Sequence, residues 1–318
     1  MNSKNNIDKR QDKKKVILDT DIGYNTDADD ALALAYLLLH EDCELLGITT
    51  VGLHSPWRAE LAEVICNQMG RPDIPVFAGA EQPLCNTPYW HTNPVSRWPE
   101  DFKPQPVNVY ESHQALQWMR ETIRKSPGEI TLITIGQFTN LAILLLADPE
   151  TAGMLKNVFS MGGNFDYPSG CPETECNVVL DPVATAVVFQ HIRTPFKLVT
   201  IDRVRGKGLG KDMLNEMLQH KKLQAVRACC EVWGELKGLG LADPFTVTMA
   251  FEPQLASFKQ GRVGVKFSHR KLPDGEPLSE NRVTGFTTFE KNAQGPHQVV
   301  NTINRESTHK HLLEVFQI

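Results

Sequence analysis

The strongest constraint on the fold is a repeating order of segments. From Lys15 onward, short runs of β-branched and aliphatic residues alternate with longer stretches patterned as helices, the order that a parallel sheet flanked by helices requires. The runs at 16–18, 45–51, 130–135, 158–161 and 196–201 are almost continuously apolar, as strands covered on both faces are. Between them the spacing predicts helices over 29–40, 57–69, 112–125, 138–147 and 182–192. The expected fold class is therefore α/β, with a mostly parallel, Rossmann-like central sheet flanked by helices. After Asp202 the pattern becomes more helical, over 211–237 and 243–251. Short strands near 262–266, 283–288 and 298–303 then predict a small C-terminal antiparallel element. Segment 82–108, rich in Pro, Asn and Trp and lacking either period, predicts a long surface loop. No repeat and no Pro/Gly-rich linker divides the chain. Residues 15–318 are expected to form one domain behind a polar, disordered tail over 1–14.

Composition excludes whole classes of function. Lys and Arg total 33 against 38 Asp and Glu, a net charge of −5 with 41% apolar residues, the balance of an ordinary globular protein. No basic block offers a field to a phosphate backbone, so nucleic acid is not an expected partner. No apolar run approaches the roughly 18 residues that span a bilayer, so no membrane association is expected. The Lys-rich start is not followed by an apolar segment of signal-peptide type. Seven cysteines, odd in number and scattered apart from Cys229 and Cys230, fit a reducing compartment and a cytoplasmic location. That adjacent pair reads as small core residues.

The chemistry concentrates where the first strand ends. Asp19, Asp21, Asp27, Asp29 and Asp30 fall within twelve positions, between the run Val16-Ile17-Leu18 and the apolar helix beginning near Ala31. In open parallel sheets, ligands bind at the carboxyl ends of the strands. Two ionised carboxylates about 4 Å apart repel by roughly 4 kcal/mol at an effective dielectric near 20, so a converging group needs a compensating cation. An all-oxygen ligand set favours a hard ion, with Ca²⁺ ahead of Mg²⁺ because it tolerates irregular, protein-rich coordination. The alternative role for Asp29 and Asp30 is to cap the helix and meet its positive end, which explains one or two acids and leaves the rest unexplained.

The run Asp19-Thr20-Asp21-Ile22-Gly23, followed by Asp29-Asp30-Ala31, resembles the amino-terminal metal and substrate motif of the inosine-uridine-preferring nucleoside hydrolases. Further segments match in order: Gly47-Ile48-Thr49-Thr50-Val51, Ile74 to Ala80, Gly136-Gln137-Phe138-Thr139-Asn140, Met161-Gly162-Gly163, Glu175-Cys176-Asn177 and Asp243-Pro244. The resemblance implies hydrolysis of the N-glycosidic bond of a small-molecule ribonucleoside by a Ca²⁺-dependent enzyme, as in nucleoside salvage, and an assembly as homodimer or homotetramer. It implies Asp21, Asp30, the main-chain carbonyl of Ile135 and Asp243 as metal ligands, with Asp19 in support. Asp21 is also implied as the base that takes the proton of the attacking water. Asp29, Met161, Glu175 and Asn177 are implied around the ribose.

The sequence also departs from the family pattern. Many members carry a His just before the last Asp and use it to protonate the leaving base. Here that residue is Ala242, and Tyr24, Trp90, His91, Tyr167 and Trp233 are the candidates to take its place. Residues 25–28 lengthen the first loop, which brings Asp27 into consideration beside the ion. His54 stands where Asn is usual and is a candidate for a substrate-side role, and Ser169 stands where some members have Asn near the ribose 5′ end. Two rival readings are a nucleoside- or ribose-binding protein that has lost turnover along with the His, and a haloacid-dehalogenase-like phosphatase with Mg²⁺. The second leaves Asp29 and Asp30 without a role. His309 and His311 read as a solvated chain end, and Arg203, Arg205, Lys207 and Lys211 as a solvated loop.

Overall fold

The computed structural model describes residues 13–23, 28–87, 112–165, 175–205, 208, 211–237, 241–268 and 282–317. Six strands form a parallel array: β1 (Lys14–Thr20), β2 (Cys43–Thr50), β3 (Val76–Ala78), β4 (Ile130–Thr134), β5 (Asn157–Met161) and β6 (Phe196–Val199). Three later strands are β7 (Ala256–Ser268), β8 (Thr284–Lys291) and β9 (His297–Ile303). β9 pairs in parallel with β6 and antiparallel with β7, so the expected C-terminal antiparallel element forms the edge of the main sheet. The nine strands run in the order β3-β2-β1-β4-β5-β6-β9-β7-β8.

The helices are α1 (Ala28–Leu39), α2 (Ser55–Gln68), α3 (Ser112–Lys125), α4 (Thr139–Ala147), α5 (Pro149–Gly153), α6 (Cys176–Val179), α7 (Pro182–His191), α8 (Ile201–Val204), α9 (Lys211–Met217), α10 (Gln224–Lys237), α11 (Ala242–Phe251) and α12 (Arg305–Val315). They cover both faces of the sheet. Val16 and Leu18 join the core under α1, α2, α10 and α11, while Ile17 joins the core under α3, α4 and α7. This alternation is why β1 is apolar at consecutive positions. α1 is apolar almost all round because α10 and α11 pack over it. Leu32, Leu34, Tyr36 and Leu37 are fully buried, each aliphatic side chain contributing about 1.5–3 kcal/mol by burial.

Several expectations are corrected. The helix expected over 211–237 is broken into α9 and α10. Leu218 ends one turn, His220 caps a 3₁₀ turn at Lys221–Leu223 by accepting from the Lys222 amide at 3.2 Å, and Leu218 and Leu223 are both buried. β3, only three residues long, shows no period of its own. The chain end is not solvated: Asn304 caps α12, and His311 meets the Tyr36 hydroxyl at 2.9 Å. Around it His40, Glu252 and His311 hold ligand-type atoms within 4.8 Å of one another, past the far end of α1 from the aspartates. The Asp42 amide donates to His40 Nδ1 at 3.2 Å, which puts the neutral ring's proton on Nε2, the nitrogen a cation would need. This arrangement is that of a hydrogen-bonding cluster. The expected tail lies outside the described residues up to residue 12, and β1 already begins at Lys14; of the loop 82–108 only 82–87 are described. No described helix is long and apolar enough to cross a membrane.

Candidate active site

The carboxyl ends of β1, β4 and β5 and the first turns of α1, α6 and α11 meet at one place. Asp21 follows β1 directly, Asp29 and Asp30 lie in the first turn of α1, and Asp243 lies in the first turn of α11. Carboxylate oxygens of Asp29, Asp30 and Asp243 come within 4.8 Å of one another. Asp21, Asp30 and Asp243 are buried, and Asp19 is completely so. Burial, followed by the charges of Asp29, Asp30 and Asp21, pushes the Asp243 carboxyl well above the usual carboxylate range. Burial likewise raises Asp19, to about 7, although hydrogen bonds from Thr49 and Asn140 oppose the shift.

Asp30 and Asp19 are held by specific donors. Thr20 Oγ1 donates to Asp30 Oδ1 and accepts from the Ile22 amide at 3.1 Å, so the strand end and the helix start are tied together. Thr49 Oγ1 and Asn140 Nδ2 both donate to Asp19 Oδ1, at 2.6 and 2.7 Å. The second oxygen of Asp19 and one oxygen of Asp243 have no hydrogen-bond partner among the described residues. Buried carboxylate oxygens without a partner, clustered with further acids, are what a bound cation would satisfy. The donor set also contains a carbonyl. Asn177 Nδ2 donates to the Ile135 carbonyl at 2.7 Å and to the Met161 carbonyl at 3.2 Å, which brings Ile135, Met161 and Asn177 together. All these atoms are oxygens, so the residues present fit a hard cation.

Glu175 has a structural duty beside any other. It caps α6, accepting from the amides of Asn177 at 2.8 Å and Val178 at 3.1 Å, and it also accepts from Gly163 at 2.9 Å. Burial raises its pKa against those three bonds. His54 lies on the rim. It is left-handed (φ 61°), its amide donates to Glu81 at 3.1 Å, and its ring stacks on Trp57 at 5.0 Å, with Trp57 45% exposed. The structure thus gives His54 to Trp57 and Glu81 and does not join it to the carboxylates. Tyr24, Asp27, Trp90, His91, Tyr167 and Ser169 lie outside the described residues; Trp233 lies on α10, with its side chain outside them.

Three residues of this region receive no role from the sequence, although Gln137 and Asn140 lie in one of its motifs. Arg58, 1% exposed on α2, donates from Nε to the Leu53 carbonyl at 3.0 Å and from Nη1 to the Ile22 carbonyl at 3.2 Å, joining the turns after β2 and β1. The available signal was its position on the stripe it shares with Ala62, Ile65 and Cys66, the buried side of α2. Asn140 links three strand ends, accepting from the Ala80 amide and donating to Asp19 and to the Thr50 carbonyl. Gln137, completely buried in the turn after β4, has no partner for either end of its carboxamide among the described residues. Between them lies Gly136, where a Cβ would come within 2.7 Å of the Asp21 amide nitrogen, so only glycine lets the two turns approach.

Comparison with known proteins identifies the family. An uncharacterised protein of Schizosaccharomyces pombe is 34% identical over 180 residues, 55% of this chain and 57% of that one. Uridine nucleosidase 1 of Arabidopsis thaliana is 27% identical over 274 residues, 80% of this chain and 78% of that one. The solved purine-preferring ribonucleoside hydrolase of Gardnerella vaginalis shares the fold, with a TM-score of 0.74 at 20% identity over 95% of this chain and 98% of that one. The model of the inosine-uridine preferring nucleoside hydrolases matches residues 16–310, nearly the whole chain, which therefore belongs to that family.

Proposed function

We propose that the protein hydrolyses the N-glycosidic bond of ribonucleosides, releasing free base and ribose. The observation that carries this reading is the convergence of Asp21, Asp29, Asp30 and Asp243 at the end of β1, with an Asp243 oxygen left unpartnered beside them. In this reading Ca²⁺ is held by Asp21, Asp30, the Ile135 carbonyl and Asp243. When bound, such an ion orients and acidifies a water.

The residues of the chain do the rest. Asp21 accepts the water's proton while the oxygen bonds to the anomeric carbon and the glycosidic bond breaks, its electron pair leaving with the base. Asp29, Glu175 and Asn177 hold the ribose hydroxyls, with Met161 lining the same side, and Asp19 supports Asp21 from the strand. Glu175 is suited to this because three backbone amides fix its carboxylate in place. The departing base must also gain a proton, and Ala242 cannot give one. That same residue favours the second reading, a protein that binds nucleoside without turnover.

A reducing-sugar assay on the purified protein separates the two. Ribose release from inosine, adenosine, guanosine, uridine or cytidine, abolished by chelator and restored by Ca²⁺, is the expected outcome. Ribose release unaffected by chelator removes the metal from the proposal, and binding without release leaves the second reading.

A further inference from the structure

We infer that Gln137 is a binding residue, whose carboxamide holds a hydroxyl oxygen beside Asp21 during the reaction proposed above; the inference rests on that reading. The sheet order carries the argument. β1 lies between β2 and β4. Gln137 belongs to the turn after β4, and yet a Cβ on Gly52, in the turn after β2, would lie 2.6 Å from its Nε2 and 2.8 Å from its Oε1. Strands two apart are separated by about 9–10 Å, so the side chain reaches across the carboxyl end of β1 to make that approach. A Cβ on its neighbour Gly136 would meet the Asp21 amide nitrogen at 2.7 Å and Val51 Cγ1 at 2.8 Å, which fixes where the crossing occurs. Gly52 has φ +86° and no side chain, so it leaves room for the amide.

The amide therefore lies over the strand end from which Asp21 projects, 0% exposed and without a hydrogen-bond partner for either of its ends among the described residues. A buried carboxamide has two donors and an acceptor to satisfy, and leaving them unmet opposes folding. Neighbouring polar groups are already engaged: Thr49 and Asn140 are spent on Asp19, and Thr50 Oγ1 on Ser55. What suits an amide presenting both a donor and an acceptor is a hydroxyl, which does the same. Two sources share that chemistry, a hydroxyl of the sugar and the attacking water.

The test compares the full-length, Ca²⁺-supplemented wild type with Gln137→Met, which keeps length and removes the amide, and Gln137→Asn, which keeps the amide one methylene short. Three quantities are read: kcat and KM with inosine and uridine, the Kd for D-ribose by calorimetry, and the melting temperature of the free protein. Gln137→Met is expected to melt at or above the wild-type temperature, because an unmet amide is gone. If the partner is a sugar hydroxyl, KM and the ribose Kd rise on the order of tenfold in both variants. If it is the water, kcat falls by about as much while the ribose Kd stays unchanged. Kinetic constants and ribose affinity within twofold of wild type in Gln137→Met overturn the inference, as does a lowered melting temperature accompanied by unchanged constants. Wild-type protein that releases no ribose from any nucleoside refutes the reaction, and the ribose Kd then decides for Gln137 alone: weakened in the variants it stands, unchanged or absent in wild type it falls.

Discussion

Replacing Arg58 by Met tests whether the turn that carries Asp21 is held from outside the site. Among the described residues the guanidinium makes two bonds to main-chain carbonyls, to Leu53 at 3.0 Å and to Ile22 at 3.2 Å, from a side chain that is 1% exposed. Hydrogen bonds from a charged donor contribute about 1.5–3 kcal/mol each, and Met retains the apolar stem while leaving both carbonyls unmet. At the lower end of that range the two bonds give a destabilisation of about 3 kcal/mol. For a chain of 318 residues, whose unfolding entropy is about 2.1 cal/mol/K per residue, that lowers the melting temperature by roughly 4–5 °C. If Asp21 is the base proposed above, the catalytic consequence is larger than the thermal one, because Ile22 directly follows Asp21 and a base displaced by about 1 Å costs on the order of a hundredfold in rate. Melting by circular dichroism, together with kcat on the best nucleoside, reads both effects. Arg58→Lys, able to keep one of the two bonds, should fall between. An Arg58→Met protein as stable as wild type and turning over at the same rate refutes the reasoning, since neither turn would then depend on the bridge.

Asp21→Asn is expected to lower kcat by about 10³-fold with the fold intact by circular dichroism, and near-wild-type turnover would remove Asp21 as the base. Asp243→Ala should weaken Ca²⁺ binding by at least roughly tenfold in calorimetry; unchanged affinity places Asp243 outside the ligand set. Gly136→Ala would put a methyl group 2.7 Å from the Asp21 amide nitrogen and 2.8 Å from Val51 Cγ1, so kcat should drop together with stability, and an unaffected variant would show that the two turns are not in fixed contact. His297, completely buried, has its pKa pushed down to about 4 by burial, below an ordinary value of 6.5. The unfolded chain then binds the extra proton between those values, so stability is lost as pH falls from about 6.5 to about 4, by roughly 2 kcal/mol after allowance for screening. Urea unfolding at pH 7 and pH 5 should show a smaller difference in His297→Gln than in wild type, and equal differences would deny His297 the effect.

What was legible in the sequence and what was not divide along a physical line. The aspartates at the end of β1 stand out because a charge beside a fully apolar strand is anomalous on its own terms, wherever the other strands lie. The parallel strands other than β3 were legible for the same local reason, since a parallel strand covered on both faces declares itself by continuous apolar character. His311, Arg58 and Gln137 are the opposite case. His311 reads as a solvated end until α12 is seen to place it on Tyr36, thirty-six residues from the start but adjacent in space. Arg58 shares the apolar stripe of α2, but its carbonyl partners lie in two different turns that no helical period reveals. Gln137 is an ordinary turn residue until the order β2-β1-β4 makes its approach to Gly52 a crossing above Asp21. Strand order is a global property that no window of sequence contains, and a reach across a strand has no period. It follows that the acids expected to do the chemistry are readable one motif at a time, while the residues that hold them in register, and any that adapt the site where Ala242 replaces the usual His, have to be sought among side chains whose partners lie two strands away.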